Sequence, residues 1–160
     1  MNIWTGEERL VMPVVTVTEV VPASMTSIYK ILSDMQRFPE FMKNVESVTI
    51  AEQGEDYTHS VWRTKLQGAT FQWTERDEFF PQQGRISYRQ IQGDLKKFEG
   101  FWQLRQTSEG TEVTLQTDFE FGMPMLASLL NPVAKLAIRE NAKAMVRAIG
   151  EKAQAADSEH

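Results

Sequence analysis

The sequence predicts an α+β domain in which a curved antiparallel sheet of about seven strands encloses one long C-terminal helix. Apolar and polar residues alternate in several segments that short turns separate, which is typical of antiparallel neighbours. The last of these segments, Thr111–Phe121, leads through Gly122 and Pro124 into a long helical pattern, Asn131–Lys152. Two small helical patterns also follow the first strand. A sheet that closes around such a helix usually leaves a cavity between them.

The strands and small helices follow in a simple order. Val14–Val21 is rich in β-branched residues and ends at Pro22, after which a helix begins at Ala23 or Ser24. A second short helix begins near Pro39. The six later strands are predicted at Val45–Gln53, Tyr57–Leu66, Thr70–Phe80, Gly84–Ile91, Leu95–Gln106 and Thr111–Phe121.

The long helix is predicted to begin at Asn131, a good N-cap residue, with Pro132 at the first helical position. Residues 126–130 then form a preceding turn or a kinked extension. Asn141 and Met145 are expected near the edge of the face that meets the sheet. The residues expected on that face are Val133, Leu136, Ala137, Ala144 and Ala148.

Length and composition indicate one ordinary domain. At 160 residues, with 41% hydrophobic and 24% charged residues, the chain is predicted to contain an N-terminal arm (1–12), a single domain (13–153) and a frayed tail (154–160). The N-terminus does not resemble a secretory signal, and no apolar stretch is long enough to span a membrane, so we expect a cytoplasmic protein.

The composition also excludes several kinds of site. A net charge of −5 disfavours a nucleic-acid partner, and the absence of cysteine excludes disulfides and thiolate chemistry. The two histidines, His59 and His160, form no metal-binding or triad spacing with other residues. We therefore predict no metal and no cofactor.

Two carboxylates stand out because of their position in a strand. Successive side chains of a strand point to opposite faces, so Glu75 and Asp77 share the apolar face of Trp73. Buried carboxylates are costly unless water, a cation or a hydrogen-bond donor meets them. Two interpretations remain open. Either they lie near the rim, solvated or paired with an arginine, or at least one lies in the cavity as a ligand contact or general base.

Neighbouring strands contribute an aromatic concave face. Phe98, Gly100, Trp102 and Leu104 are expected to face inward, with Gly100 leaving space beside Trp102. The inward residues of the last strand are predicted to be Val113, Leu115, Thr117, Phe119 and Phe121. If Arg89 points inward, it is placed to pair with Glu75 or Asp77, or to hold a ligand oxygen.

The chain resembles the START-like, helix-grip superfamily, which includes aromatic polyketide cyclases/aromatases and coenzyme Q-binding proteins. The resemblance covers most of Val14–Ala148. It rests on the order and spacing of the stretches Val21–Val48, Phe71–Gly93, Lys96–Val113 and Ile138–Ile149.

The resemblance implies a cavity lined at Phe38, Met42, Trp73 and Trp102. It also implies a departure from the cyclase pattern, because Asp77 stands where aromatases often carry an arginine. Thr117 and Met145 stand where some relatives carry histidine and aspartate. From both lines of reasoning, the predicted catalytic residues are Glu75, Asp77 and Arg89, with Tyr88 as a further candidate to stabilise an enolate. The predicted ligand-binding residues are Phe38, Met42, Trp62, Trp73, Phe98, Trp102, Leu115, Thr117, Asn141 and Met145.

Three functions are compatible with these features. The first, which we favour narrowly, is cyclisation or dehydration of a polyketide-like substrate, with an acyl carrier protein as an implied partner. The second is a non-catalytic carrier of a quinone, lipid or isoprenoid. The third is an interaction module with a filled core. Met123–Leu130 is predicted to serve as a gate, a homodimer contact or a membrane contact.

Overall fold

The computed structural model describes residues 14–66, 69–93, 95–120 and 124–158, without the side chains of residues 66, 69 and 124–131. Its strands form one antiparallel sheet in the order β1-β7-β6-β5-β4-β3-β2, which confirms the predicted fold class. The predicted arm, residues 1–12, lies outside the described residues. The strands are β1 Val14–Val21, β2 Val45–Gln53, β3 Tyr57–Leu66, β4 Ala69–Phe80, β5 Arg85–Gly93, β6 Lys97–Thr107 and β7 Gly110–Glu120.

Two small helices follow β1, as predicted, but the second differs in kind. Helix α1 spans Met25–Ser33, and Ser24 caps it by accepting a hydrogen bond from the Ser27 N–H at 3.1 Å. The next helix is a 3-10 helix, Met35–Glu40, which begins four residues before Pro39. Residues three apart eclipse one another in a 3-10 helix, so Met35 and Phe38 are buried together. A further 3-10 turn, Pro81–Gln83, connects β4 to β5.

The long helix α2 spans Pro124–Ser158 and is longer at both ends than the sequence pattern predicts. It begins at Pro124, where a missing N–H costs nothing, and it continues through Pro132. Its last turns are held by Asp157, whose carboxylate accepts from the Ser24 N–H at 2.9 Å. A frayed tail from residue 154 was expected, but the helix ends at Ser158. The division into arm, domain and tail stays a prediction.

The buried face of α2 is rotated from the predicted one. Leu136 is 59% exposed and Ala144 is also exposed, so these two predictions were wrong. Val133 is 64% exposed but lines the cavity between α2 and the sheet. Ala137 is buried as predicted, and Ala148 is half-buried. The position of α2 on the sheet decides this face and side-chain size does not, since alanines are buried while the larger Leu136 is exposed. The other buried side chains of the helix are Ile138, Ala142, Val146, Ile149 and Ala153.

The sheet separates an inner, buried face from an outer, charged one. The inward residues expected of β6 and β7 are buried or half-buried where the structure describes them, and Phe121 lies outside the described residues. A β-bulge interrupts the pairing of β4 with β5 at Thr74 and Glu75. Among the described residues, no helix is long and apolar enough to cross a membrane.

Candidate ligand-binding cavity

A cavity of about 330 Å³ lies between the inner face of the sheet and α2. Small-molecule pockets typically measure ~300–1,000 Å³, so this one accommodates a compact organic ligand. Val133 lines the cavity and is largely exposed, so the cavity opens beside this part of α2. The lining residues include Met35, Trp62, Thr64, Phe71, Gln72, Trp73, Glu75, Tyr88, Gln90, Leu95, Phe98, Trp102, Leu115, Thr117, Phe119, Ala134, Ala137, Ile138, Asn141, Ala142 and Met145.

Aromatic rings from β3, β4 and β6 form one wall of the cavity. Trp62 on β3 is directly opposite Trp73 on β4, and their rings stack with centroids 5.8 Å apart and planes 8° apart. The Phe98 ring of β6 lies 5.1 Å from the Trp73 ring at 60°. Stacked and tilted rings of this kind give a rigid, apolar surface suited to a flat or conjugated ligand.

Glu75 places a carboxyl group in this wall. The residue is 3% exposed, and the bulge at its position locally changes the pairing between β4 and β5. Its Oε1 accepts a hydrogen bond from Trp73 Nε1 at 2.7 Å. Burial, followed by the charge and hydrogen bonding of Asp77, raises the pKa of Glu75 well above the usual glutamate value. Glu75 therefore favours its protonated, neutral form more strongly than an exposed glutamate does.

Asp77 lies behind Glu75 and does not line the cavity. It is fully buried, and its Oδ2 accepts from Thr58 Oγ1 at 3.0 Å and from Ser60 Oγ at 2.5 Å. Ser60 in turn accepts from Trp62 Nε1 at 2.8 Å. These hydroxyl groups donate hydrogen bonds to the Asp77 carboxyl group. They take the place of the water or arginine partner that the first interpretation of the sequence required.

Tyr88 completes a polar row across five strands. Thr58, Asp77, Tyr88, Gly100 and Thr117 are successive register partners from β3 to β7. The Tyr88 hydroxyl reaches over Gly100 to within 2.6 Å of Thr117 Oγ1. Burial raises the pKa of this hydroxyl, so it remains protonated and available for hydrogen bonding at neutral pH.

Gly100 allows this crossing, which differs from the prediction that it leaves space beside Trp102. A Cβ at this position would meet the Gln116 carbonyl oxygen at 1.8 Å and the Tyr88 hydroxyl oxygen at 2.8 Å. Tyr88 Oη also lies 3.1 Å from that same carbonyl oxygen, to which it can donate. The missing side chain at Gly100 therefore makes room for the Tyr88 hydroxyl and does not leave empty space beside Trp102.

Two further polar lining residues, Gln90 and Asn141, come from β5 and α2. Gln90 donates to the Leu95 carbonyl oxygen, which leaves its amide oxygen available. Asn141 Oδ1 lies 3.3 Å from Asn44 Nδ2, and Asn141 Nδ2 lies 3.5 Å from the Met145 sulfur. Asn141 is thus held by Asn44 and lines the cavity with a weakly satisfied amide.

The structure separates the predicted site residues into two groups. Eight of the ten predicted ligand-binding residues line the cavity: Trp62, Trp73, Phe98, Trp102, Leu115, Thr117, Asn141 and Met145. Phe38 and Met42 do not line it, and the 3-10 helix and the residues after it place them in the core, at 0% and 4% exposure. Their contact with a ligand stays a prediction.

Arg89 is the clearest correction among the predicted catalytic residues. It is exposed on the outer face of β5, opposite Glu99 of β6 and away from Glu75 and Asp77. Tyr88 has the inward parity, so Arg89 necessarily points out. Reasoning from the sequence missed Gln72 and Gln90 as lining residues, and it missed the bulge beside Glu75, which depends on cross-strand register. No group of three or more potential metal ligands occurs within the described residues.

Residues 21–146 match the model of the family described as polyketide cyclase / dehydrase and lipid transport. The chain belongs to this family. The match covers most of the domain, from the end of β1 to the second half of α2, and includes every residue named above as lining the cavity. The resemblance to the START-like superfamily is confirmed.

Solved structures agree with this family assignment. TTHA0849 from Thermus thermophilus is 26% identical, with a TM-score of 0.84 over 90% of this chain and 99% of that chain. The ZhuI aromatase/cyclase from Streptomyces sp. R1128 is 22% identical, with a TM-score of 0.82 over 89% of this chain and 94% of that chain. The second likeness shows the shared fold.

A curated relative carries a different kind of name. The ribosome association toxin RatA of Escherichia coli K12 is 26% identical over 114 residues, which are 71% of this chain and 72% of RatA. The family and the cavity together support a helix-grip protein that binds a hydrophobic ligand.

Proposed function

We propose that the protein binds a polyketide-like or similarly conjugated molecule in its cavity and promotes cyclisation or dehydration of that molecule. The observation that carries this proposal is the buried carboxyl of Glu75 in an otherwise aromatic wall, where burial raises its pKa. An acid with a raised pKa can give up and recover a proton near neutral pH, which is the requirement for general acid–base catalysis.

Dehydration illustrates how Glu75 acts. Glu75 gives its proton to the departing hydroxyl of a β-hydroxy carbonyl compound, and the C–O bond breaks to release water. In the same step the α-carbon proton passes to the other oxygen of Glu75, and the C–H bonding electrons form the new double bond while the C–O electrons leave with the water. The acid is regenerated, and no oxidant or reductant is required. Asp77 favours recovery of the proton, because two adjacent carboxylates repel one another.

The cavity wall contributes by limiting the shapes that the substrate adopts. The stacked Trp62 and Trp73 rings and the tilted Phe98 ring provide a surface against which a chain folds into a compact conformer. Holding two reactive carbons near each other lowers the entropic part of the barrier. Tyr88 lies close enough to the same wall to hydrogen-bond a developing enolate oxygen.

The second candidate function is a carrier of a quinone, lipid or isoprenoid. It is favoured by the predominance of apolar residues in the lining and by the lipid-transport part of the family description. A carrier needs only a dry, gated cavity and no proton transfer. The net charge of −5 disfavours ribosomal RNA as a partner, so the name of RatA does not supply a third candidate.

We further propose a cytoplasmic location, where an acyl carrier protein would deliver a polyketide-like substrate. This partner follows from the cyclase interpretation and would be dispensable for a carrier.

The two candidates differ in what happens to the bound molecule. Native mass spectrometry of protein purified from its own host identifies that molecule, which is then incubated with the wild type, Glu75→Gln and Glu78→Gln. For a cyclase, the molecule or its open-chain precursor loses one water, and Glu75→Gln slows this by ~100-fold or more. Glu78→Gln removes a carboxylate from the outer face of the same strand and should not change the rate. Recovery of a chemically unchanged molecule from all three proteins would establish the carrier.

A further inference from the structure

Glu75 and Asp77 form a carboxyl pair on the inner face of β4. They are two residues apart on that face, and both are buried. Asp77 Oδ2 has two hydroxyl donors, whereas Asp77 Oδ1 is buried and has no hydrogen-bond partner among the described residues. A proton on Glu75 that is directed to that oxygen would satisfy it and leave one negative charge on the pair.

The cavity provides no positive charge to balance this pair. Among the described lining residues, Glu75 and Tyr88 are the titratable ones, and there is no lysine, arginine or histidine. Arg76 and Arg89, the nearest arginines along the chain, belong to the outer side of the sheet. A ligand carboxylate in this cavity would lose its hydration and meet a like charge without compensation.

Glu75 also determines which hydrogen-bonding group a ligand needs at this position. When its proton is directed to Asp77, its other oxygen accepts from Trp73 and has one lone pair left for a ligand. That lone pair is filled only by a donor, such as a hydroxyl or enol group. Gln90 likewise retains a free amide oxygen, which is again an acceptor.

We propose that the Glu75–Asp77 pair shares one proton and thereby selects uncharged ligands that carry a hydroxyl or enol group, and rejects their carboxylate counterparts. This proposal rests on the proposed function in one respect, which is that the ligand occupies the cavity beside Glu75. It adds the chemical class of the ligand: a neutral phenol, enol or alcohol on a flat apolar body.

The test uses four probes with the same bicyclic body: a naphthol, its methyl ether, the corresponding naphthoate and a naphthylmethylammonium ion. Their dissociation constants are measured at neutral pH by calorimetry or tryptophan fluorescence. The wild type should bind the naphthol ~10-fold or more tightly than each of the other three. This comparison needs no variant, so it stands even if a substitution impairs folding.

Variants identify the pair as the cause. The double variant Glu75→Gln/Asp77→Asn removes the charge and supplies amide donors, so the preference for naphthol over naphthoate should fall to ~3-fold or less. Glu78→Gln, on the outer face, should keep the wild-type preference. Persistence of the full preference in a folded double variant would overturn the proposal.

Other results would also overturn it. A naphthoate or methyl ether that binds the wild type as tightly as the naphthol contradicts selection by the pair. Tightest binding of the ammonium probe would show an unshared negative charge. If the naphthol preference holds but Glu75→Gln keeps full turnover, the proposed function fails and this inference stands. If turnover needs Glu75 but no preference exists, the reverse is true.

Discussion

The two faces of β4 treat similar residues in opposite ways. On the inner face, Glu75 and Asp77 are buried beside an aromatic cavity and interact with each other and with neutral donors. On the outer face, Arg76 Nε lies 3.7 Å from Glu78 Oε2, and its guanidinium lies 3.9 Å from the centre of the Tyr57 ring. Alternation along β4 therefore places Glu78 in solvent beside an arginine, and it places Glu75 and Asp77 in the interior, where they accept hydrogen bonds from neutral donors.

This difference shows where the fold accepts an energetic cost. Outer charges are exposed or paired and contribute little to stability. The inner pair is destabilising relative to an apolar pair of the same shape, since burying polar groups has a cost even when hydrogen bonds satisfy them. A costly arrangement facing an open cavity is readily explained by a role in binding or proton transfer.

The largest expected effect comes from filling the space on the inner face. Leu115 lines the cavity, whereas the neighbouring Thr114 lies on the other side of β7. Leu115→Trp should weaken naphthol binding by ~100-fold, about 2.7 kcal/mol, because the indole occupies the ligand's volume. Thr114→Trp is the matched control and should bind normally. Equal loss in both variants would show that the cavity is not where the probe binds.

A second substitution tests the polar row. Gly100→Ala places a methyl group against the Gln116 carbonyl oxygen and the Tyr88 hydroxyl. We expect the free energy of unfolding to fall by about 1–3 kcal/mol, as is usual for overpacking. Urea unfolding measures the change. A variant as stable as the wild type would mean that Tyr88 does not cross β6 over Gly100.

The free energy of unfolding depends on pH in opposite directions for carboxyl groups on the two faces of the sheet. Because the pKa of Glu75 is raised, the folded state keeps this proton up to a higher pH than the unfolded chain does. The contribution of Glu75 to the free energy of unfolding therefore decreases as the pH rises above the pKa of Glu75 in the unfolded chain. The Arg105 hydrogen bond lowers the pKa of Glu112 on the outer face, so its contribution is present above the unfolded value and lost as pH falls.

Glu75→Gln should therefore become more stable relative to the wild type as pH rises from about 5 to 8, by at most ~1.4 kcal/mol per pH unit. The slope reports the titration of the pair with Asp77 and not of one residue alone. Urea unfolding at a series of pH values measures it. A difference between the two proteins that does not vary with pH would contradict a buried, neutral Glu75.

The smallest effect is expected on the outer face. Arg105 Nη2 lies 2.7 Å from Glu112 Oε2, but the arginine side chain is 65% exposed. Arg105→Gln should leave the melting temperature nearly unchanged, because water and salt screen exposed pairs. A large drop in thermal denaturation would show that the outer charges stabilise the sheet more than their exposure suggests.

Local patterns predicted the fold well because its strands are antiparallel and alternate regularly. The bounds of β1, β2 and β3 agree with the prediction, and Glu75 and Asp77 were placed on the correct face. Those features depend only on period-two alternation and short turns. The carboxylates were recognisable from the sequence because they break an apolar face.

The features that could not be predicted depend on distant parts of the chain. Arg89 and Tyr88 alternate clearly, but which of them faces inward is set by pairing with β4 and β6. The buried face of α2 depends on how the sheet accommodates Ile138 and Val146, and Phe38 is buried by the 3-10 turn that contains it. Each is a consequence of tertiary packing that no local spacing records.

The protonation state of Glu75 is the central claim, and isotope-edited NMR of the glutamate side-chain carboxyl carbons measures it directly. Glu75→Gln assigns the resonance, and Glu112, whose pKa the Arg105 hydrogen bond lowers, provides an outer-face reference in the same spectrum. We predict that the Glu75 carboxyl retains the chemical shift of a neutral acid at pH values where Glu112 is ionised. A Glu75 resonance that titrates together with that of Glu112 would contradict the account.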